Sequence, residues 1–470
     1  MDESKLKSYA YARMLSVFFM LFLLLDIAGS VSHSFGRLYK DGYIKRVEIN
    51  TRNVFEKPGI FLKYEDMEKL KNRFPSGNVS FMSETNSTAG AGILSMDVKQ
   101  VLAGEDLELF LDLEMGGGIF INADQHKYGR KTAVVSEALA EKLFGSLNVI
   151  GNEIDIGGVR HKIIGLYRSR TSLITLFGSD GMERVYVPFE SLSGSETLPV
   201  DTVFIKDPDQ EKGKFRKEDM EDFLKEGLKV DLAAYKVTDF YDSAGAVSQP
   251  LSMLAFIVGI LCILILIGKL SGILKQGFGA ISERSRDMYF IEMLAGGKRH
   301  VVKYMLPALA MLGLIGLILL GIRFRLYIPY KYIPLDNIFD FGFYMDILRQ
   351  EIYEAGGAAR GYAPTALESA MGNSLAINVF IVFLLVAALI SALSTVKLFK
   401  ITGGHPGKML FAAAVSVIAA AGVSFALSLV FGLRFALPVK EEAVTILLIL
   451  LKFPDGSGQI LNDLKRAVHL

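Results

Sequence analysis

Cysteine is all but absent from this chain of 470 residues: the single Cys262 lies inside an apolar run, so no intrachain disulfide can form. Histidine is sparse as well. His33, His126, His161, His300, His405 and His469 are dispersed, with neither an H-E-x-x-H pair nor a Cys/His cluster, so no metal site is expected. No stretch fits G-x-x-x-x-G-K-[ST], the loop whose backbone amides hold nucleotide phosphates. Gly296-Gly297-Lys298 lacks both the spacing and the following hydroxyl residue, and Gly116-Gly117-Gly118 reads as a turn. A G-x-S-x-G elbow is missing too. With a net charge of +1 and no strongly basic domain, nothing points to nucleic acid. The chain is expected to hold no cofactor and to perform no covalent chemistry: it is not read as an enzyme.

What it has is apolar length. Hydrophobic residues make up 51% of the chain, and they gather in runs. Leu251–Gly268 and Met305–Ile322 are uncharged runs of 18 residues each, at the short end of what spans a bilayer. Between them, from Lys269 to Lys303, seven Lys/Arg face three acids, which places that loop in the cytoplasm. Ser374–Val396 and Met409–Leu433 are further runs, separated by Lys397, Lys400 and Lys408 with no acid between them. Arg323–Asn373, with five basic residues against six acids, reads as external. Near the start, Lys5, Lys7 and Arg13 precede an apolar segment through Val31 that is interrupted by Asp26. A cleavable signal ending near Ala28-Gly29-Ser30 is one reading. A retained anchor is the favoured one, because Asp26 falls just before the supposed cleavage site. Either way the basic N-terminus stays in the cytoplasm.

Residues between the first two spans read as a soluble α+β domain. Tyr64 to Lys71 begins like a helix, with acids first and basic residues after. Ala133–Ser136 reads as a strand and Glu137–Phe144 as a helix closed by Gly145. Glu153–Ile156, a Gly157-Gly158 turn and Lys162–Leu166 read as a hairpin. Val185–Val187 is a strand stopped by Pro188, and Thr202–Ile205, Lys217–Glu226 and Leu232–Val237 read strand, helix, strand. A large external domain without disulfides suits a bacterium. The fold class is therefore an α-helical membrane protein of four to five transmembrane helices, with a large extracytoplasmic α+β domain between the first two.

The expected division follows. Residues 1–35 are a cytoplasmic segment and the first span, 36–245 the external domain, and 246–272 the second span. Residues 273–303 form a cytoplasmic loop and 304–322 the third span. An external loop, 323–373, leads to the fourth span, 374–396. Residues 397–408 are a cytoplasmic loop, 409–433 a fifth span and 434–470 a tail. In that tail Ala443–Leu451 is apolar but too short to cross, and it is placed outside as an interfacial or buried element.

Charge inside a span invites a functional reading, and Asp26 is alone in that respect, since the spans from Leu251 onward carry none. Close to the outer end of a helix, it can simply reach water. The alternative is an interhelical or substrate-facing acid, a possible intramembrane polar site. The apolar interiors of the other spans disfavour an ion channel or a proton-coupled carrier.

The stretch from Ile281 to Lys303 is unusual for a loop. Ile281, Met288, Ile291 and Ala295 form one helical stripe while Phe290 and Met293 face the other way, and Gly296-Gly297 supplies a stop. A short helix with two apolar sides requires something to bury them.

These residues also carry a resemblance. Thr132 to Gly145, Ile150 to Ile154, Gly158 to Gly165, Val185-Tyr186-Val187-Pro188 and Tyr64 to Glu68 resemble the external core domain of MacB-like ABC-transporter permeases. Glu283 to Gly296 resembles the E-R-x-x-E-I-G-I-L-R-A-L-G-A signature of FtsX-like permeases, departing from it at Asp287, Tyr289, Glu292 and Ala295. Members of that family commonly have four spans, against five read here. The resemblance implies that the signature segment is a coupling helix that docks on a separate ABC ATPase subunit through Glu283, Arg284, Asp287, Met288, Phe290, Ile291, Leu294 and Gly296. ATP and magnesium would then sit on that partner. It further implies a homodimer, or a heterodimer with a related permease, in the lipid of a bacterial plasma (inner) membrane. The function implied is a mechanotransmission permease that exports or extracts a peptide, lipid or lipoprotein. The alternative is FtsX-like signalling to a cell-wall hydrolase or sensor.

Overall fold

A computed structural model describes residues 3–37, 46–51, 62–73, 79–111, 113–169, 172–176, 181–192, 194, 198–206, 221–230, 235–284, 298–323, 326, 334, 337, 339–357 and 366–452. The chain forms two compact units: Met1–His33 with Ser248–Leu326 and Leu375–Leu470, and Ser34–Val247 with Tyr327–Ser374. In chain order the elements begin with α1 (Glu3–Gly36), β1 (Arg46–Thr51), α2 (Tyr64–Arg73), β2 (Val79–Ala91), β3 (Leu94–Ala103), β4 (Leu113–Gly118) and α3 (Ala123–Lys127). Next come β5 (Thr132–Ser136), α4 (Glu137–Phe144), β6 (Glu153–Ile156), β7 (Val159–Ser169), α5 (Leu173–Leu176), β8 (Arg184–Pro188), β9 (Thr202–Lys206) and β10 (Tyr235–Asp239). The chain continues with α6 (Phe240–Arg284), α7 (Lys298–Gly321), α8 (Phe341–Gly357), α9 (Ala366–Ile401), α10 (Pro406–Val430) and α11 (Val439–Lys452).

The second unit is built on one ten-stranded sheet in the order β10-β1-β9-β2-β3-β8-β5-β7-β4, with β6 pairing β2 and β7. β3–β8 and β5–β7 run parallel and the remaining pairs antiparallel. Side chains alternate across a strand, and here both faces are covered. Val98 and Leu102 of β3, Val135 of β5, Val187 of β8 and Val203 of β9 join one core with Met67 and Leu70 of α2 and Leu139 and Leu143 of α4. Their neighbours Val101, Val134, Tyr186 and Phe204 join a second core with Phe110 and Phe120.

Local chemistry explains several elements. Ser136 Oγ accepts from Leu139 N at 3.1 Å to cap α4, and Gly145 ends it in the left-handed conformation. Gly157 and Gly158, at φ 57° and 85°, make the two-residue turn between β6 and β7 that other residues would strain to adopt. The longest hairpin, β2–β3, runs from Met82↔Ala103 out to Ala91↔Leu94 and lies in the middle of the sheet. No strand is legible in Ser83 to Gly90, which is rich in Ser, Thr, Asn and Gly. Pairing with β3 and β6 supplies what its side chains do not. The helix read from Lys217 to Glu226 lies partly outside the described residues, and Phe223–Gly227 winds as a π-helical turn. The strand read from Leu232 is described only from Tyr235 onward.

Both chain ends of this domain leave from the same edge. β1 and β10 pair antiparallel, with Val47 opposite Asp239. Phe35, near the end of α1, stacks on Phe240, the first residue of α6, with ring centroids 5.4 Å apart.

Among the described residues, five helices are long and apolar enough to cross a membrane: Lys5–Gly36, Ser243–Gly279, Lys303–Gly321, Ser369–Ile401 and Pro406–Val430. The described part is thus a membrane-type helical unit plus a large α/β domain. At 45 residues α6 is about 68 Å long, twice the roughly 30 Å of a hydrocarbon core. It is therefore longer than a bilayer crossing requires, and the loop read after it lies outside the described residues from 285 to 297. In the first helix Met14, Phe18, Leu21, Phe22 and Leu25 are buried in the bundle's main core. The region read as an external loop contains α8, whose Phe341, Tyr344, Met345 and Leu348 are exposed along one stripe.

Of the two readings of the tail's apolar run, interfacial or buried, the structure shows the buried one: α11 packs within the bundle. Its Leu448 joins Val258, Cys262 and Leu266 of α6 and Ile318 of α7, and its Ile449 joins the core around α1, α9 and α10. Only 14 residues long, it is too short to span, yet its apolar run is covered by protein.

Candidate functional site

The coupling segment read from the sequence is reached from both sides by long helices. Glu283 and Arg284 close α6, and Lys298 opens α7. Asp287, Met288, Phe290, Ile291, Leu294 and Gly296 lie outside the described residues, as does the Gly296-Gly297 stop.

Asp26 is different from its simplest reading. The side chain does not reach water: it is 0% exposed, on the inner face of α1 beside Phe22 and Leu25. Neither of its carboxylate oxygens has a hydrogen-bond partner. The charged group acting on it is Glu442 of α11, itself 8% exposed with Oε1 unpartnered. Two acids from opposite ends of the chain thus meet inside the bundle.

The approach of α11 is built residue by residue. Ser30 Oγ accepts from Ala436 N at 3.2 Å and donates to Ala436 O at 3.4 Å, which ties the loop before α11 to α1. Gly29 lets that loop come close, since a Cβ there would meet Pro438 Cδ at 2.9 Å and Ala436 O at 3.2 Å. Pro438 O accepts from Glu442 N at 3.0 Å, starting the helix. Glu441 and Glu442 occupy its first turn, where the helix dipole favours acids. Thr445 Oγ1 donates to Glu441 O at 2.7 Å, and the Cys262 thiol of α6 points to Val444 O at 3.7 Å. These ties are weak. An interhelical hydrogen bond in a membrane protein averages about 0.6 kcal/mol, whereas an unpaired charge kept out of water costs several kcal/mol. The state of the acid pair outweighs the rest of the polar docking.

In the α/β domain a second buried polar group comes together from three segments. Tyr64 OH donates to Glu190 Oε1 at 2.5 Å, and His126 Nδ1 lies 2.6 Å from Glu190 Oε2. Burial pushes the Glu190 carboxyl up, but the hydrogen bonds from His126 and Tyr64 outweigh it and hold the group below its ordinary range. Burial and Glu190 push the Tyr64 phenol up. Tyr64 also stacks on Phe189 at 5.1 Å, so the cluster pins α2 and α3 to the turn after β8. Nothing local in the sequence signals either this trio or the Asp26–Glu442 pair; each is assembled only by tertiary contact. Among the described residues no three His, Cys, Asp or Glu side chains gather as metal ligands would.

Residues 14–213 match the MacB-like periplasmic core domain. No curated protein matches the chain. Solved structures similar to it include the extracellular domain of the noncanonic ABC-type transporter YknZ from Gram-positive bacteria, at 20% identity and TM-score 0.33, covering 41% of this chain and 99% of that one. The periplasmic region of MacB from Actinobacillus actinomycetemcomitans is 15% identical at TM-score 0.33, over 42% and 89% of the two chains. A domain of a permease protein from Porphyromonas gingivalis is 15% identical at TM-score 0.31, over 42% and 91%. By its residues 14–213, less than half of its length, the chain is similar to the MacB-like periplasmic core domain.

Proposed function

We propose that the chain is the permease subunit of an ABC transporter and couples ATP hydrolysis on a separate ATPase subunit to movement of its α/β domain. The observation that carries this is the match to the MacB-like core domain over residues 14–213, which starts within the first membrane-length helix and ends before the second. Its geometry suits a transmitted motion. α1 and α6 approach the domain side by side at Phe35 and Phe240, and β10 leads into α6 without an intervening loop. A shift of α6 relative to α1 would therefore act directly on the β1–β10 edge of the sheet. The drive would enter at residues 283–296, where Met288, Phe290, Ile291 and Leu294 dock on the ATPase and Arg284 and Asp287 make ion pairs at that contact. The material moved is a peptide, lipid or lipoprotein at the outer face. The working form is a dimer of this chain, or of this chain with a related permease, in the bacterial plasma membrane with its N-terminus in the cytoplasm.

The test is co-purification of the full-length chain with an ABC ATPase co-expressed from the same organism. Replacing both Phe290 and Leu294 by Asp should lower recovery of the ATPase at least about tenfold, equivalent to about 1.4 kcal/mol of binding. An unchanged complex would sink the docking assignment. In reconstituted vesicles, stimulation of ATP hydrolysis by an added peptide, lipid or lipoprotein is expected. Stimulation only by a cell-wall hydrolase would move the assignment to signalling.

A further inference from the structure

The Asp26–Glu442 pair has no use in the coupling scheme, and its surroundings ask for a ligand. Asp26 is wholly buried with both oxygens unpartnered, and Glu442 is more than nine-tenths buried with Oε1 unpartnered. His33 and Arg37 at the end of α1 and Arg434 on the loop before α11 are the nearest cationic or titratable groups in the chain besides Lys440, and the one charged group acting on Asp26 is Glu442. The other spans bring no charge. No Asp, Glu, Lys or Arg occurs from Ser248 to Gly268 on α6, from Tyr304 to Gly321 on α7, from Ser369 to Val396 on α9, or from Met409 to Val430 on α10. On α11 itself, Lys440 and Glu441 flank Glu442 and act on one another. The polar groups these helices do bury are neutral, such as Ser374, Asn378, Ser416 and Ser424.

Two carboxylates side by side, excluded from water and without a cation, cannot both stay ionised. A metal ion would need about six oxygen ligands, and no such set gathers here among the described residues. A proton needs neither room nor further ligands. The geometry points to a proton-binding site: Asp26 and Glu442 share one proton, and that proton holds α11 docked against α1. Removing it leaves two like charges facing each other within the bundle, and α11 moves away from α1 and α6. This inference goes beyond the permease assignment and does not depend on it.

The chain contains its own reporter. Cys262 is the only cysteine, is buried, and lies against Val444 of α11. Full-length protein in lipid nanodiscs is titrated in pH and followed by infrared spectroscopy and by the rate of Cys262 alkylation with N-ethylmaleimide. Wild type should show a protonated-carboxyl C=O stretch that D26N and E442Q both remove or shift and that fades in one step as pH rises. At each pH the wild-type alkylation rate is divided by that of D26N, so that ionisation of the thiol itself cancels. The ratio should stay near one below the step and rise about tenfold above it, as the docked state opens. The absence of any protonated-carboxyl band that either substitution removes would overturn the shared proton. A ratio that stays at one across the step would overturn the latch. If D26N does not yield folded protein, E442Q serves as the same denominator.

Discussion

α1 and α7 have the same mean hydropathy over their membrane-length windows, yet 56% of the α1 window is buried against protein and only 11% of the α7 window is. Apolar content therefore does not decide which span becomes the centre of the bundle. In lipid it cannot, because leaving an acyl chain for a leucine gains nothing by transfer. What separates the two is the rest of their composition. α1 carries Ala10, Asp26, Ala28, Gly29 and Ser30, all small or polar and, apart from Gly29, all fully buried. It makes backbone-level contacts with α10 through Ser416 Oγ to Leu15 O at 3.3 Å and with the loop before α11 through Ser30. α7 is a leucine-rich rod whose Leu306, Leu309, Leu312 and Leu317 point outward. A methyl group added at its Gly313, Gly316 or Gly321 would meet nothing within 4 Å. Close approach and polar partners organise this bundle; hydrophobicity only keeps it in the membrane.

Two pairs of substitutions can break or sharpen that contrast. The largest effect is expected at Phe22, which is fully buried on α1. Phe22→Ala should cost about 2 kcal/mol, less than the roughly 3–5 of a soluble core because the transfer part is missing in lipid and the cavity part remains. Leu317→Ala on α7 should change stability by less than about 0.5 kcal/mol. Unfolding of full-length protein in mixed micelles by increasing SDS measures both, and equal losses would refute the ranking of the two helices. Next is Gly29→Val, which drives a side chain into Pro438 and should cost about 1–2 kcal/mol by overpacking. Gly316→Val on α7 meets open space and should be close to neutral in the same assay. If Gly316→Val proved the more damaging, α7 would have a partner that this chain alone does not provide.

The smallest effect moves the comparison from two spans to two units. In the α/β domain, the chemistry of a half-buried carboxylate is settled by donors, as Glu190 shows. Its folded carboxyl is held below its ordinary range. Its contribution to stability is therefore present above the ordinary carboxylate range and is lost as pH falls through the lower folded value. Glu190→Gln should cost about 1 kcal/mol near neutrality, with the difference from wild type shrinking as the solution becomes acidic below that range. Hydrogen exchange of the peptides containing Tyr64 and His126 in the full chain reads this directly. A difference independent of pH would remove the charge from the explanation.

Much of the architecture is legible in the residues themselves because it is local. The long apolar runs announce the spans, Ser136 and Gly145 bracket α4, and Gly157-Gly158 turns β6 into β7. The central hairpin is not legible, since Ser83 to Gly90 contains little that favours a strand until β3 and β6 pair with it. Nor is the fate of Ala443–Leu451: its length excludes a crossing, but length alone does not tell an exposed helix from one enclosed by α1, α6, α7 and α9.

Asp26 draws the line most sharply. The sequence by itself determined that a single acid interrupts the first span and that the other spans carry no charge to answer it. Whether that acid reaches water or is enclosed depends on what packs over it, and Glu442 comes from the far end of the chain. Only the tertiary structure decided that, because burial is a property of neighbours distant in sequence. The helical period shows which residues share a face, and only the packed bundle shows what that face meets.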